Sequence, residues 1–85
     1  MNISFEAKAF EDFVAWAEQD RKIQKRVVNL ITDVLRNPYQ GIGKPEPLKH
    51  ELKGCWSRRI TDEHRLVYRV DVNTITVIAC KYHYK

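Results

Sequence analysis

Four residues of this chain have the types needed to cleave RNA through its own 2'-hydroxyl: Glu46, Arg65, His83 and Tyr84. That reaction needs a base for the 2'-hydroxyl proton, an acid for the departing 5'-oxygen and cations for the crowded phosphorane; it requires no metal and no other cofactor. Glu46 stands between Pro45 and Pro47, whose rings restrict a loop that can fold over a sheet, and it is the candidate base. The competing reading is a solvated loop acid. His83 is the candidate acid, because an imidazole with an unperturbed pKa of about 6.5 moves protons near neutrality. The two roles can also be exchanged between Glu46 and His83. Arg65 is the candidate stabiliser, since a guanidinium in mid-strand is preorganised against developing phosphate charge. Tyr84 suits stacking on an unpaired base or contact with the phosphate; it equally suits an aromatic cover for the core. Lys44, Lys49, Arg59 and Lys81 add candidate RNA-backbone contacts, each individually nonspecific. His50 and His64 read as turn or surface residues, although His64 directly precedes Arg65 and is placed to help order its strand.

These residues must be held by a small frame. Phe10, Phe13, Val14 and Ala17 recur at i, i+3, i+4 and i+7, one apolar face of a helix that follows a short extended segment, Asn2 to Phe5. Asp20 is placed to cap a second helix with the stripe Ile23, Val27, Leu30, Ile31, Val34 and Leu35, stopped by Pro38. From Asn37 to Pro47, Gly and Pro punctuation predicts a prescribed loop. Strands are predicted at Cys55 to Ile60, His64 to Val70 and Thr74 to Tyr82, with short connections that imply antiparallel neighbours. The fold class is α+β: an N-terminal helical hairpin packed on one face of a twisted antiparallel sheet, one domain over 1–85.

If both strand hairpins turn symmetrically, residues of like parity share a face. The even set, Trp56, Ile60, Leu66, Tyr68, Val70, Ile78, Cys80 and Tyr82, would meet the helices, with Arg58 the exception. The odd set holds Ser57, Arg59, Arg65, Arg69, Lys81 and His83 among Val67, Val77 and Ala79. A sheet face carrying cations around a histidine attracts a polyanion, and Arg presents a planar fork matched to phosphate oxygens. Taken singly, each cation is more simply a solvating surface group. Trp16 and Trp56 read as structural.

Composition agrees with a small folded domain. Apolar residues make up 44% of the chain and charged residues 31%, and 15 Lys and Arg against 11 Asp and Glu leave a net charge of +4, which favours polyanionic partners. Cys55 and Cys80 form neither a CxxC pair nor a zinc spacing, so reduced thiols in a cytoplasmic protein are expected. No stretch has the length or apolarity of a membrane span, and no membrane partner is expected.

The segments Lys44-Pro-Glu-Pro-Leu-Lys-His50, Trp56-Ser-Arg-Arg-Ile60, Glu63-His-Arg-Leu-Val-Tyr68 and Cys80-Lys-Tyr-His-Tyr84 together resemble the YoeB toxins, within the broader RelE-like group. The resemblance covers essentially the whole chain, more loosely in its helical half. It implies a microbial RNase fold and metal-independent cleavage of mRNA in the ribosomal A site, leaving a 2',3'-cyclic phosphate. Glu46, Arg65, His83 and Tyr84 fall on the family's active positions, and Lys49 and Arg59 on its supporting basic positions. It also implies a cognate YefM-type antitoxin whose acidic, flexible C-terminal segment covers the toxin, and operator DNA bound through that complex; it allows a homodimer. Two positions depart from the pattern: Lys85 follows the tail, and Cys55 stands where the family often has a larger residue. The alternative is a noncatalytic basic RNA- or DNA-binding module or corepressor subunit using the same face. The coexistence of Glu46 and His83 with the arginines separates the two, since a carboxylate weakens phosphate binding unless it has acid-base work to do.

Overall fold

A computed structural model of the chain describes residues 1–82. In chain order the elements are β1 (Asn2–Phe5), α1 (Ala7–Gln19), α2 (Arg21–Arg36), β2 (Glu46–Pro47), β3 (Cys55–Arg59), β4 (Arg65–Val70) and β5 (Thr74–Ala79), with a 3-10 turn at His50–Leu52. Asp20 caps α2 as expected, its carboxylate accepting from the amides of Lys22 and Ile23 at 3.0 and 3.3 Å.

The strands form one sheet in the order β1-β5-β4-β3-β2. It is mixed rather than purely antiparallel: β1 runs parallel to β5, pairing Asn2 with Thr74 through Phe5 with Val77. A parallel pair needs a long crossover, and here the helical hairpin and three strands lie between the partners. The predicted loop also contributes a strand, because Glu46 and Pro47 pair with Ser57 and Trp56 at the sheet's outer edge, where a residue lacking an N–H is tolerated.

The hairpin covers one face. Ala9 and Trp16 of α1 and Val27, Leu30 and Val34 of α2 pack with Ile60, Leu66, Tyr68, Ile75, Val77 and Cys80. The face of α1 is rotated from the expected one: Ala9, Phe13 and Trp16 meet the core, whereas Phe10 and Val14 are about half exposed. The indole explains the rotation, since Trp16 Nε1 donates to the carbonyl of Cys80 at 2.9 Å and a large ring with a satisfied N–H wins the buried position.

Parity holds across β3 and β4 and fails in β5. Val67 pairs with Ala79 but Tyr68 with Val77, so Ile78 is an extra residue in a bulge. On the β1 side of the bulge the faces exchange. Ile75 and Val77 enter the core and Thr76 turns to the other face, where its hydroxyl meets that of Ser4 at 2.9 Å.

Candidate functional site

The sheet face turned away from the helices is organised in rows by strand register. Glu46, Ser57, Val67 and Ala79 form one row, and Arg59 and Arg65 face each other in the next. On the other side lie Cys55, Arg69 and Thr76. Directly opposed residues project from the same face, so Glu46, Arg59 and Arg65 share one surface. Two strand spacings and two residue steps put the Cα atoms of Glu46 and Arg65 roughly 12 Å apart, a gap that both long side chains can close around a phosphodiester. Ser57 and Val67 are buried and form the floor between them, while Glu46, Lys44, Lys49 and Arg59 are exposed.

The residue that builds the loop is Arg58, the exception in the apolar set. It is fully buried on the helix side, and all five of its N–H groups find acceptors. Nε donates to Tyr68 Oη at 3.2 Å; Nη1 donates to Asp33 Oδ2 at 2.6 Å and the Ile42 carbonyl at 3.1 Å; Nη2 donates to the carbonyls of Asn37 and Gln40 at 2.6 and 3.2 Å. Tyr68 Oη in turn donates to the Pro38 carbonyl at 2.6 Å, and Asp33 Oδ2 accepts the Ile42 amide. One guanidinium therefore replaces secondary structure as the partner of the loop backbone after α2. It also holds the Asp33 carboxyl below its ordinary value, and burial pushes the Tyr68 phenol up.

The loop then reaches β3, where the Arg59 amide donates to the Gly43 carbonyl at 2.7 Å. Gly43 has φ +81°, and a Cβ there would lie 2.7 Å from Leu30 Cδ2 and 3.2 Å from the Arg59 carbonyl oxygen. Only glycine allows the chain to pass so close to α2 and β3 and then deliver Lys44 and Glu46 to the sheet edge.

Arg65 is half-buried, and its Nη1 donates to the carbonyls of Thr61, Asp62 and His64 at 2.6, 3.2 and 3.1 Å. One edge of its fork is thus fixed by the turn. Lys81 is drawn elsewhere: its ammonium lies over the rings of Trp16 and Tyr82, 5.4 and 5.3 Å from their centroids, which ties it to α1. His83 and Tyr84 lie outside the described residues.

His64 is a buried residue, contrary to the expectation of a turn or surface position. Its ring meets Trp16 edge to face at 4.8 Å, and its Nδ1 accepts the Tyr82 amide at 2.7 Å. The local signal for burial was weak, because the residue follows an Asp-Glu turn. Both cysteines are buried free thiols; burial raises Cys55 and pushes Cys80 up to about 12. These thiols are therefore protonated and inert near neutrality. Among the described residues no group of His, Cys, Asp and Glu could hold a metal ion.

The YafQ protein of Escherichia coli shares the fold at a TM-score of 0.77 and 19% identity, over 96% of this chain and 92% of that one, a likeness of fold alone. The chain belongs to the YoeB family, for its residues 5–84 match the family described as the YoeB-like toxin of bacterial type II toxin-antitoxin systems. It is 51% identical to the toxin YoeB of Streptomyces coelicolor over 99% of this chain and all of that protein, and 49% identical to the Escherichia coli K12 toxin YoeB with the same coverage. A YoeB/ParE toxin from Agrobacterium tumefaciens superposes with a TM-score of 0.96 at 41% identity, covering 99% of this chain and 100% of that one. The Staphylococcus aureus protein in a YoeB-YefM complex superposes with a TM-score of 0.90 at 48% identity, over 99% and 98%.

Proposed function

We propose that this toxin is a ribosome-dependent endoribonuclease that cuts mRNA in the ribosomal A site. The observation that carries the reading is the register that puts Glu46 on the same open face as Arg59 and Arg65. Glu46 takes the proton of a 2'-hydroxyl, and the freed oxygen attacks the adjacent phosphorus. Arg65 and Arg59 stabilise the phosphorane, and His83 gives a proton to the departing 5'-oxygen, leaving a 2',3'-cyclic phosphate and a free 5'-hydroxyl. Tyr84 contacts the base or phosphate, and Lys44 and Lys49 bind the flanking backbone. Dependence on the ribosome is expected because exposed side chains such as Glu46 and Arg59 do little by themselves to orient the nucleotide for in-line attack.

The same cationic face suits an acidic, flexible segment of a YefM-type antitoxin, and the Staphylococcus aureus relative in complex with YefM supports that partner. Operator DNA would be reached through that complex. A dimer of the Staphylococcus aureus protein supports self-association as a second state. The test is primer extension on a defined mRNA in purified translating ribosomes. Wild type should cut at an A-site codon, and Glu46→Gln and His83→Gln should each be slower by about a hundredfold or more. Wild-type rates for both variants would remove the mechanism; tight, salt-sensitive RNA binding without product would favour the noncatalytic module.

A further inference from the structure

Residue 82 is held at two points. Its amide donates to His64 Nδ1 at 2.7 Å, and its carbonyl accepts the Arg65 amide at 3.1 Å. It needs both, because Tyr82 has φ +65°, a left-handed conformation that costs a non-glycine residue roughly 1 kcal/mol. His64 is itself immobilised by Trp16 on one side and by the Thr61 turn on the other, where Thr61 Oγ1 accepts the His64 amide at 3.1 Å. Its carbonyl is also one of the three that hold Arg65 Nη1. One residue thus touches both the proposed phosphate-binding arginine and the backbone immediately before His83.

We propose that His64 is a positioning residue: its ring anchors the backbone of Tyr82 while its carbonyl orients Arg65. The inference rests on the ribonuclease reading for its catalytic consequence and on geometry alone for the anchor. Because Nδ1 is the acceptor, the ring proton sits on Nε2, which faces Glu63 Oε1 at 3.6 Å.

The test combines amide hydrogen exchange at Tyr82, read by NMR on the whole toxin, with cleavage kinetics on ribosomes, for wild type, His64→Phe and His64→Asn. Asn keeps an acceptor near the place of Nδ1. Wild type and His64→Asn should protect the Tyr82 amide about tenfold more than His64→Phe. Cleavage should drop at least about tenfold in kcat in His64→Phe and recover in His64→Asn. Should His64→Phe fail to fold, His64→Leu takes its place in the same comparison. Equal protection in all three proteins overturns the anchor. Protection that changes as expected while kcat does not overturns the positioning role. An inactive Glu46→Gln with unaltered Tyr82 protection in His64→Phe would sink the anchor and leave the ribonuclease reading standing.

Discussion

Arg58 and Arg65 occupy adjacent strands and have opposite fates. Arg58 is sealed on the helix side with every donor used, whereas Arg65 lies half-buried on the other face with its Nη1 held by the carbonyls of the turn before β4. Replacing Arg58 by Met fills similar volume but strips hydrogen bonds from three loop carbonyls and leaves Asp33 without its cation. The expected loss is about 3 kcal/mol or more, read as a lower urea midpoint at unchanged slope. Asp33 adds a pH signature. Its carboxyl is depressed in the folded state by Arg58 and the Ile42 amide, so its contribution is present above the unfolded value near 3.8 and disappears as pH falls through the lower folded value. Stability measured below about pH 4 should therefore fall more steeply in wild type than in Asp33→Asn; parallel curves would contradict the pairing.

At the scale of elements, the loop after α2 works as a rigid arm that ends in β2. Gly43→Ala would combine a strained backbone with crowding against Leu30 and the Arg59 carbonyl, costing about 1–3 kcal/mol in thermal or urea unfolding and displacing Glu46. Cleavage should suffer more than folding does; an unaltered rate would show that the arm does not place Glu46. The elements of this arm were only partly legible in the sequence. Capping by Asp20, the α2 stripe apart from exposed Leu35, and the shared face of Arg59 and Arg65 follow from local chemistry and period-two alternation, and the structure has all three. Three features depend on distant partners. The bulge at Ile78 moves Val77 into the core, β1 pairs with a strand some seventy residues away, and Arg58 looks like a misplaced surface cation until Asp33, Tyr68 and three loop carbonyls close around it. His64 belongs with these, because its burial is made by Trp16 from another element.

For the whole molecule, the surplus of positive charge has a face on which to act. Arg59, Arg65 and Arg69 lie on the open side of the sheet, with exposed Lys44 and Lys49 flanking β2 in the chain, and Arg69 has Asp71 at 3.5 Å. Binding to an oligonucleotide with a 2'-deoxy cleavage position should weaken steeply with salt, and Arg59→Gln should lower the slope of log K against log salt by about 1. An unchanged slope would place Arg59 outside the contact. The parallel pairing of β1 with β5 bears on when such a surface can exist. Residues 2–5 pair with residues 74–77, so the sheet closes only when chain ends separated by some seventy residues are brought together, a slow, non-local step. Completion of the sheet is therefore governed by contacts far apart in sequence, and the helical hairpin alone cannot supply it.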